Sequence, residues 1–329
     1  MRDRQGRRIG LTVACAVAIA ACGPTGTRVT TTAEQAPAAR VGPVTAAVDV
    51  VVVAPADAAL AGVAAAGETL VVAGADNDGP AVWRRDVDGW HRDQVRRPGR
   101  APRIDAVAVD GGRGVAFGGD GGGTSHLWVH DGGAVWRAVT GERTGIDGRV
   151  NAVTVDGDRW IAAGDAVDPE AGEAYEGVVW ASRDGRTFRP LATGLDLAEG
   201  TVTDVAAADG TVVVVGFDVT GGRVWTSSDG EGLSPAAGTF GAMTMHGVAA
   251  TSDGFVILGR GVGDLAPRAW RSADGREWEM LDIDATGVAP DDEIHDAATF
   301  GDTVVAVGGS PTGGVVWTLD DGQLVRAGS

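Results

Sequence analysis

The sequence contains no lysine, two cysteines and a single tyrosine. All 27 basic residues are arginine, against 45 acidic ones, for a formal net charge of −18. Too few cations are available to neutralise a phosphate backbone, which argues against nucleic acid as a partner. No P-loop, G-x-S-x-G, H-E-x-x-H or dinucleotide fingerprint occurs in a supporting context, so those enzyme classes receive no support. Wholesale disorder is excluded, because 22% charged and 44% hydrophobic residues are ordinary for a globular chain. A length of 329 residues sets a first expectation of two domains. What the chain has in plenty is glycine, 53 of them.

The first segment reads as a processing signal. Four arginines (Arg2, Arg4, Arg7, Arg8) precede a short apolar run from Ile9 to Ala21. That run reaches roughly 20 Å as a helix, short of a ~30 Å bilayer core, and fits a secretory signal instead. It ends in Ile19-Ala20-Ala21-Cys22, which resembles the lipobox of bacterial lipoproteins. The resemblance implies cleavage after Ala21, a lipid on Cys22 and an extracytoplasmic, membrane-anchored product. Arg7-Arg8-Ile9-Gly10-Leu11 loosely resembles a twin-arginine export motif, so the export route stays open. Loss of residues 1–21 takes Cys15 with it and shifts the net charge to −21. With Cys22 lipidated, disulfides, thiolate zinc sites and cysteine nucleophiles are excluded. Residues 22–47, rich in Thr, Ala, Pro and Gly, carry too little apolar surface to offset ordering entropy and read as a tether.

Residues 48–329 repeat. Segments start near Leu60, Ile104, Val150, Val202, Met245 and Ile294, and a glycine follows each start by 14 residues: Gly74, Gly118, Gly164, Gly216, Gly259 and Gly308. Each segment also carries one tryptophan in an apolar run: Trp83, Trp128, Trp180, Trp225, Trp270 and Trp317. Short β-branched runs between Gly and Asp turns predict four strands per segment, with no helical period. Six such units predict an all-β, six-bladed β-propeller with four antiparallel strands per blade and the tryptophans between sheets. The run Val48-Asp49-Val50-Val51-Val52-Val53 is expected to close the ring by joining the last blade near Leu324–Ala327.

The third-to-fourth turn carries a signature: Trp270-x-Ser272-x-Asp274-Gly275-x-x-Trp278, and likewise Trp180-x-Ser182-x-Asp184-Gly185-x-x-Phe188. Ser227, Asp229 and Gly230 repeat it, and weaker versions occur at Asp88-Gly89-Trp90, Asp131-Gly132 and Asp321-Gly322. These turns resemble the Asp-box, or BNR, repeats of sialidase-like propellers, shortened by one residue before the aromatic. Such turns are structural marks and imply no catalysis. The catalytic motifs of sialidases are missing: Pro102-Arg103-Ile104-Asp105 keeps only the Arg-Ile of the family's [FY]-R-I-P string.

Alternating strands put the Asp-Gly turns on one face and the 2–3 and 4–1 loops on the other, where propellers commonly bind ligands. Two features lie there. One is a long acidic loop, Asp165 to Gly177, holding Glu173, Tyr175 and Glu176 among its residues. It would be the place for calcium or a partner, yet it lacks D-x-D-x-D-G order, as Asp76-Asn77-Asp78-Gly79 lacks a twelfth-position Glu. No metal site or other cofactor is assigned. The other is the residue after each repeat start: Ala61, Asp105, Asn151, Thr203, His246 and His295, with Arg103 and Arg149 just before two starts. These predict a polar ring at the channel mouth. The expectation is a monomeric, non-catalytic scaffold with no catalytic residue, binding an envelope protein or glycan there. A glycoside hydrolase with a divergent site is the alternative, since carboxylates abound.

Overall fold

The computed structural model describes residues 58–96, 103–119, 125–140, 144–167, 175–195, 200–238 and 240–327. The signal, the tether, the Val48–Val53 run and Glu173 lie outside them. The described residues hold strands and no helix.

The strands come in runs of four. The first run is β1 (Ala59–Ala66), β2 (Thr69–Asp76), β3 (Gly79–Asp86) and β4 (Gly89–Val95). The second is β5 (Ala106–Asp110), β6 (Arg113–Gly118), β7 (His126–Asp131) and β8 (Val135–Ala138). The third is β9 (Arg149–Asp156), β10 (Arg159–Val167), β11 (Tyr175–Ser182) and β12 (Arg189–Leu195). The fourth is β13 (Thr201–Ala208), β14 (Thr211–Asp218), β15 (Gly221–Ser227) and β16 (Ser234–Pro235). Next come β17 (Met243–Thr251), β18 (Gly254–Gly261), β19 (Pro267–Ser272) and β20 (Glu279–Leu281). The last run is β21 (Glu293–Phe300), β22 (Thr303–Ser310), β23 (Gly313–Asp320) and β24 (Gln323–Arg326). Each run is an antiparallel meander in chain order. A short parallel pairing of β4 with β8 joins the first two runs into one eight-stranded sheet.

The first strand of each run packs against the first strand of the next, and β21 packs against β1. The circle therefore closes between complete meanders. The last sheet has four strands among the described residues, and the Val48–Val53 run expected to join it lies outside them. Gly314 N–H donates to the Ala58 carbonyl at 2.8 Å, which ties the start of β1 to β23.

The packing explains two regularities of the sequence. All six repeated tryptophans are buried, at 5% exposure or less. Each fills space between faces that otherwise present Val and Ala, as Trp225 does among Ile161, Val179, Val205 and Val214. The six offset glycines have a steric cause. A Cβ at Gly74, Gly118, Gly164, Gly216, Gly259 or Gly308 would collide with the backbone carbonyl oxygen of residue 59, 103, 149, 201, 244 or 293, respectively. In five of the runs the register slips next to this glycine, and the extra residue of the bulge is Ala61, Asn151, Thr203, His246 or His295. A bulge re-aims the side chain it carries. Glycine on the second strand is what lets the bulged backbone come that close.

The Asp-Gly turns fold as their residues dictate. Asp184 Oδ1 accepts the N–H groups of Arg186 and Thr187 at 2.8 Å each, and Ser182 Oγ accepts that of Gly185 at 3.0 Å. Gly185 takes φ 69°, which favours glycine. Asp274 repeats the pattern with Arg276 and Glu277, whose N–H groups hold its carboxyl below the usual carboxylate range. Phe188 and Trp278 then close the turn from inside, the Trp278 indole donating to the Gly275 carbonyl at 3.0 Å.

Candidate functional site: the channel mouth and its carboxyl pair

Bulges carry four of the expected polar residues, Asn151, Thr203, His246 and His295, at the end of the sheets opposite the Asp-Gly turns, and Asp105 stands at the equivalent position just before β5. Asp105 is ion-paired with Arg103. Burial raises the Asp105 carboxyl above its ordinary value, with Arg103 and Arg149 pulling the other way. Asn151 Nδ2 donates to Asp165 Oδ2 at 2.8 Å and to the Val202 carbonyl at 2.7 Å. Thr203 Oγ1 turns back to its own sheet, donating to the Val215 carbonyl at 3.2 Å. His246 Nε2 meets Thr244 Oγ1 at 2.8 Å. Burial, with smaller contributions from His295 and Arg260, pushes the His246 imidazole down to about 4, so it is neutral at physiological pH. His295 is more exposed; its Nδ1 lies 2.7 Å from the Leu60 carbonyl and Nε2 lies 3.7 Å from Glu293.

Several of these side chains thus reach across to the neighbouring run. Asn151 in β9 is spent on β13, and His295 in β21 on β1. They hold the ring as well as line it. Arg103 and Arg149 are the outward-facing charges; Arg149 acts on both Asp105 and Asp165.

The acidic loop differs from expectation at its ends. Asp165 pairs in register with Gly177, and Val167 with Tyr175, so strands β10 and β11 run further than the sequence suggests. Asp165 is no solvated loop residue: it is 7% exposed and accepts from Thr201 Oγ1 (2.6 Å), Val202 N–H (2.9 Å) and Asn151. Burial raises its carboxyl, partly offset by those bonds. Glu176 is exposed. Asp76, in the other candidate calcium turn, accepts both Arg92 Nε (2.7 Å) and Nη2 (2.9 Å), which removes it as a free ligand. Among the described residues no cluster of three or more His, Cys, Asp or Glu could hold a metal ion.

The largest departure is a carboxyl pair absent from the expected site. One residue beyond the bulge stand Gly62, Ala106, Ala152, Asp204, Gly247 and Asp296, and the two acids face a central cavity of about 180 Å³ walled mostly by Val and Ala. Asp204 accepts from Val205 N–H (2.7 Å) and from Val248 N–H of β17 (2.6 Å). Asp296 accepts from Ala297 N–H (2.7 Å) and from Val63 N–H of β1 (2.8 Å). Each carboxyl caps an N–H that no ladder partner reaches, since adjacent first strands do not pair as a sheet. The two also hydrogen-bond each other. Burial drives both carboxyls up: Asp204 well above its ordinary value and Asp296 to about 6. Two acids this close cannot both ionise cheaply, so the pair holds a proton that neither group alone would keep at its ordinary value. Gly247, on the run between them, has no side chain to stand in the way. The signal was available in the sequence: two acids at a register position that is Gly or Ala in every other repeat.

No family model matches the chain, and no curated protein matches its sequence. Solved structures do. The WD40 propeller domain of Doa1 aligns with TM-score 0.54 at 13% identity, over 82% of this chain and 81% of that one. YCF48 bound to D1 peptide aligns with TM-score 0.51 at 15% identity, over 83% of each chain. The fold is a β-propeller. An exo-β-1,3-galactanase from Phanerochaete chrysosporium also aligns, with TM-score 0.48 and 11% identity, over 67% of this chain and 61% of that one. Identities this low establish architecture and nothing about activity.

Proposed function

We propose that this chain is an extracytoplasmic lipoprotein carrying a six-bladed propeller that binds an envelope protein or glycan at the channel mouth. In this reading residues 1–21 are cleaved, Cys22 carries the lipid, and residues 22–47 hold the propeller off the membrane. The Asp-Gly turns are shortened Asp-box turns, and the propeller acts as a scaffold without catalysis. One observation supports the reading: β-bulges carry Asn151, Thr203, His246 and His295 at the same register position of four runs, and Asp105 stands at the equivalent position just before β5. The polar character of these positions suits a polar partner surface or sugar hydroxyls better than an apolar ligand. In this reading the carboxylates of Asp168, Glu170, Glu173 and Glu176 add acidic contacts.

Metabolic labelling with palmitate, compared between the wild type and Cys22→Ser, tests the anchor. Recovery of envelope material on the lipidated protein, compared with Arg103→Ala/Arg149→Ala, tests the mouth. Loss of labelling and of recovery is expected; an unchanged yield from the arginine variant would remove the mouth from the account. Asp105 and Asp165, both held above the ordinary carboxylate range, favour a second reading as a glycoside hydrolase. Turnover of aryl glycosides that Asp105→Asn abolishes would establish it.

A further inference from the structure

A second surface lies on the opposite face, between the last two runs. There the turns after β17, β19, β21 and β23 enclose a cleft of about 820 Å³, within the range of ligand clefts. Its floor is apolar: Phe255, Val256, Trp278, Leu281, Val304 and Leu319. Its rim carries Asp253, Glu277, Asp302, Asp320 and Asp321, and among the described residues none of these five side chains has an ion-pair or hydrogen-bond partner. Several other turn acids are each neutralised by an arginine: Asp76 by Arg92, Asp110 by Arg113, Asp156 by Arg159 and Asp218 by Arg223. The one arginine lining the cleft, Arg271, is committed to Glu279, and Asp274 is occupied by its own turn.

We propose that this cleft docks a cationic, partly apolar peptide segment of a partner protein, with arginine or lysine side chains on the acidic rim and aliphatic side chains on the floor. Charge complementarity selects the occupant. Five unpaired carboxylates around one recess repel each other, and a cationic segment relieves that repulsion while covering exposed apolar surface. The half-buried Trp278 ring adds a face for a guanidinium group. An anionic or neutral hydrophobic peptide would leave the rim unpaired. This site is independent of the channel mouth, which lies on the other face.

The probe is a synthetic hexapeptide alternating leucine and arginine, titrated calorimetrically into the folded propeller. Saturable one-to-one binding is expected, weakened several-fold by high salt. Asp302→Asn/Asp321→Asn should weaken it about tenfold, from about 0.5–1 kcal/mol per lost exposed ion pair. Both positions are exposed turns, and Asn accepts the positive φ of 44° at Asp321, so the fold should be unchanged by thermal unfolding. Replacing the peptide's leucines by serine should also weaken binding, and its glutamate counterpart should not bind. Equal affinity for the double variant, for the serine peptide or for the glutamate peptide would overturn the proposal. So would binding that Arg149→Ala abolishes, since that would place the peptide at the mouth.

Discussion

The Asp204–Asp296 pair makes the propeller's stability depend on pH in a direction opposite to that of most carboxylates. In the unfolded chain both groups ionise near 3.8. In the folded chain Asp296 keeps its proton up to about 6, and burial holds the Asp204 carboxyl well above its ordinary value as well. A raised folded value means that the native state binds more protons, so stability falls as pH rises from the unfolded value to the folded one. For Asp296 the window runs from about 3.8 to about 6, and the loss across it is on the order of 3 kcal/mol at 1.36 kcal/mol per unit. At about 2–4 °C per kcal/mol for a chain of this size, the melting temperature should drop by roughly 6–12 °C from this group alone. Carboxylates with lowered values, such as Asp76 and Asp274, act only below their ordinary range and leave this window alone. Asp296→Asn removes the group that titrates across this window and leaves a neutral side chain beside Asp204. The variant loses one acceptor for a backbone N–H, which costs about 1–3 kcal/mol at every pH, but its pH slope should be much flatter. Scanning calorimetry across the window, wild type against variant, measures both. Parallel curves would refute the assignment of the slope to this pair.

Gly308→Ala should destabilise the last sheet by about 1–3 kcal/mol, because the new Cβ meets the Glu293 carbonyl oxygen, while Gly301→Ala meets nothing and bears only the strain of φ 62°. Thermal unfolding of the two variants should therefore rank Gly308→Ala lower. Asp274→Ala strips acceptors from Arg276 N–H and Glu277 N–H and should cost about 1–2 kcal/mol, read in the same assay. Trp317→Ala, at a site with no exposure, should cost about 3–5 kcal/mol by leaving a cavity between the last two sheets.

Much of this architecture is legible in the sequence, because the physics behind it is local or repeated. Gly74 and its five equivalents mark a close approach that recurs in each run, so a fixed offset survives while loops vary. Trp83 and its equivalents fill the same gap repeatedly. The site is harder to read. Asp165 looks like the start of an acidic insertion, and only the register of β10 with β11 places it under Thr201 and Asn151. Asn151 and His295 read as ring-lining ligands, yet half of their bonding goes to the neighbouring strand. Asp204 and Asp296 lie 92 positions apart, and their partnership exists only once the fifth run sets Gly247 between them. Their shared register position can be read from the repeats, but no spacing along the chain pairs them with each other.

The central functional claim is that the bulged rim is the working face. A photoreactive side chain at position 149, compared with one at position 183 on the Asp-Gly face, tests it in the native envelope. The account predicts a discrete cross-linked species from position 149 that is lost on deleting residues 168–174, and none from position 183. Equal cross-linking from both positions, or from position 183 alone, would contradict it.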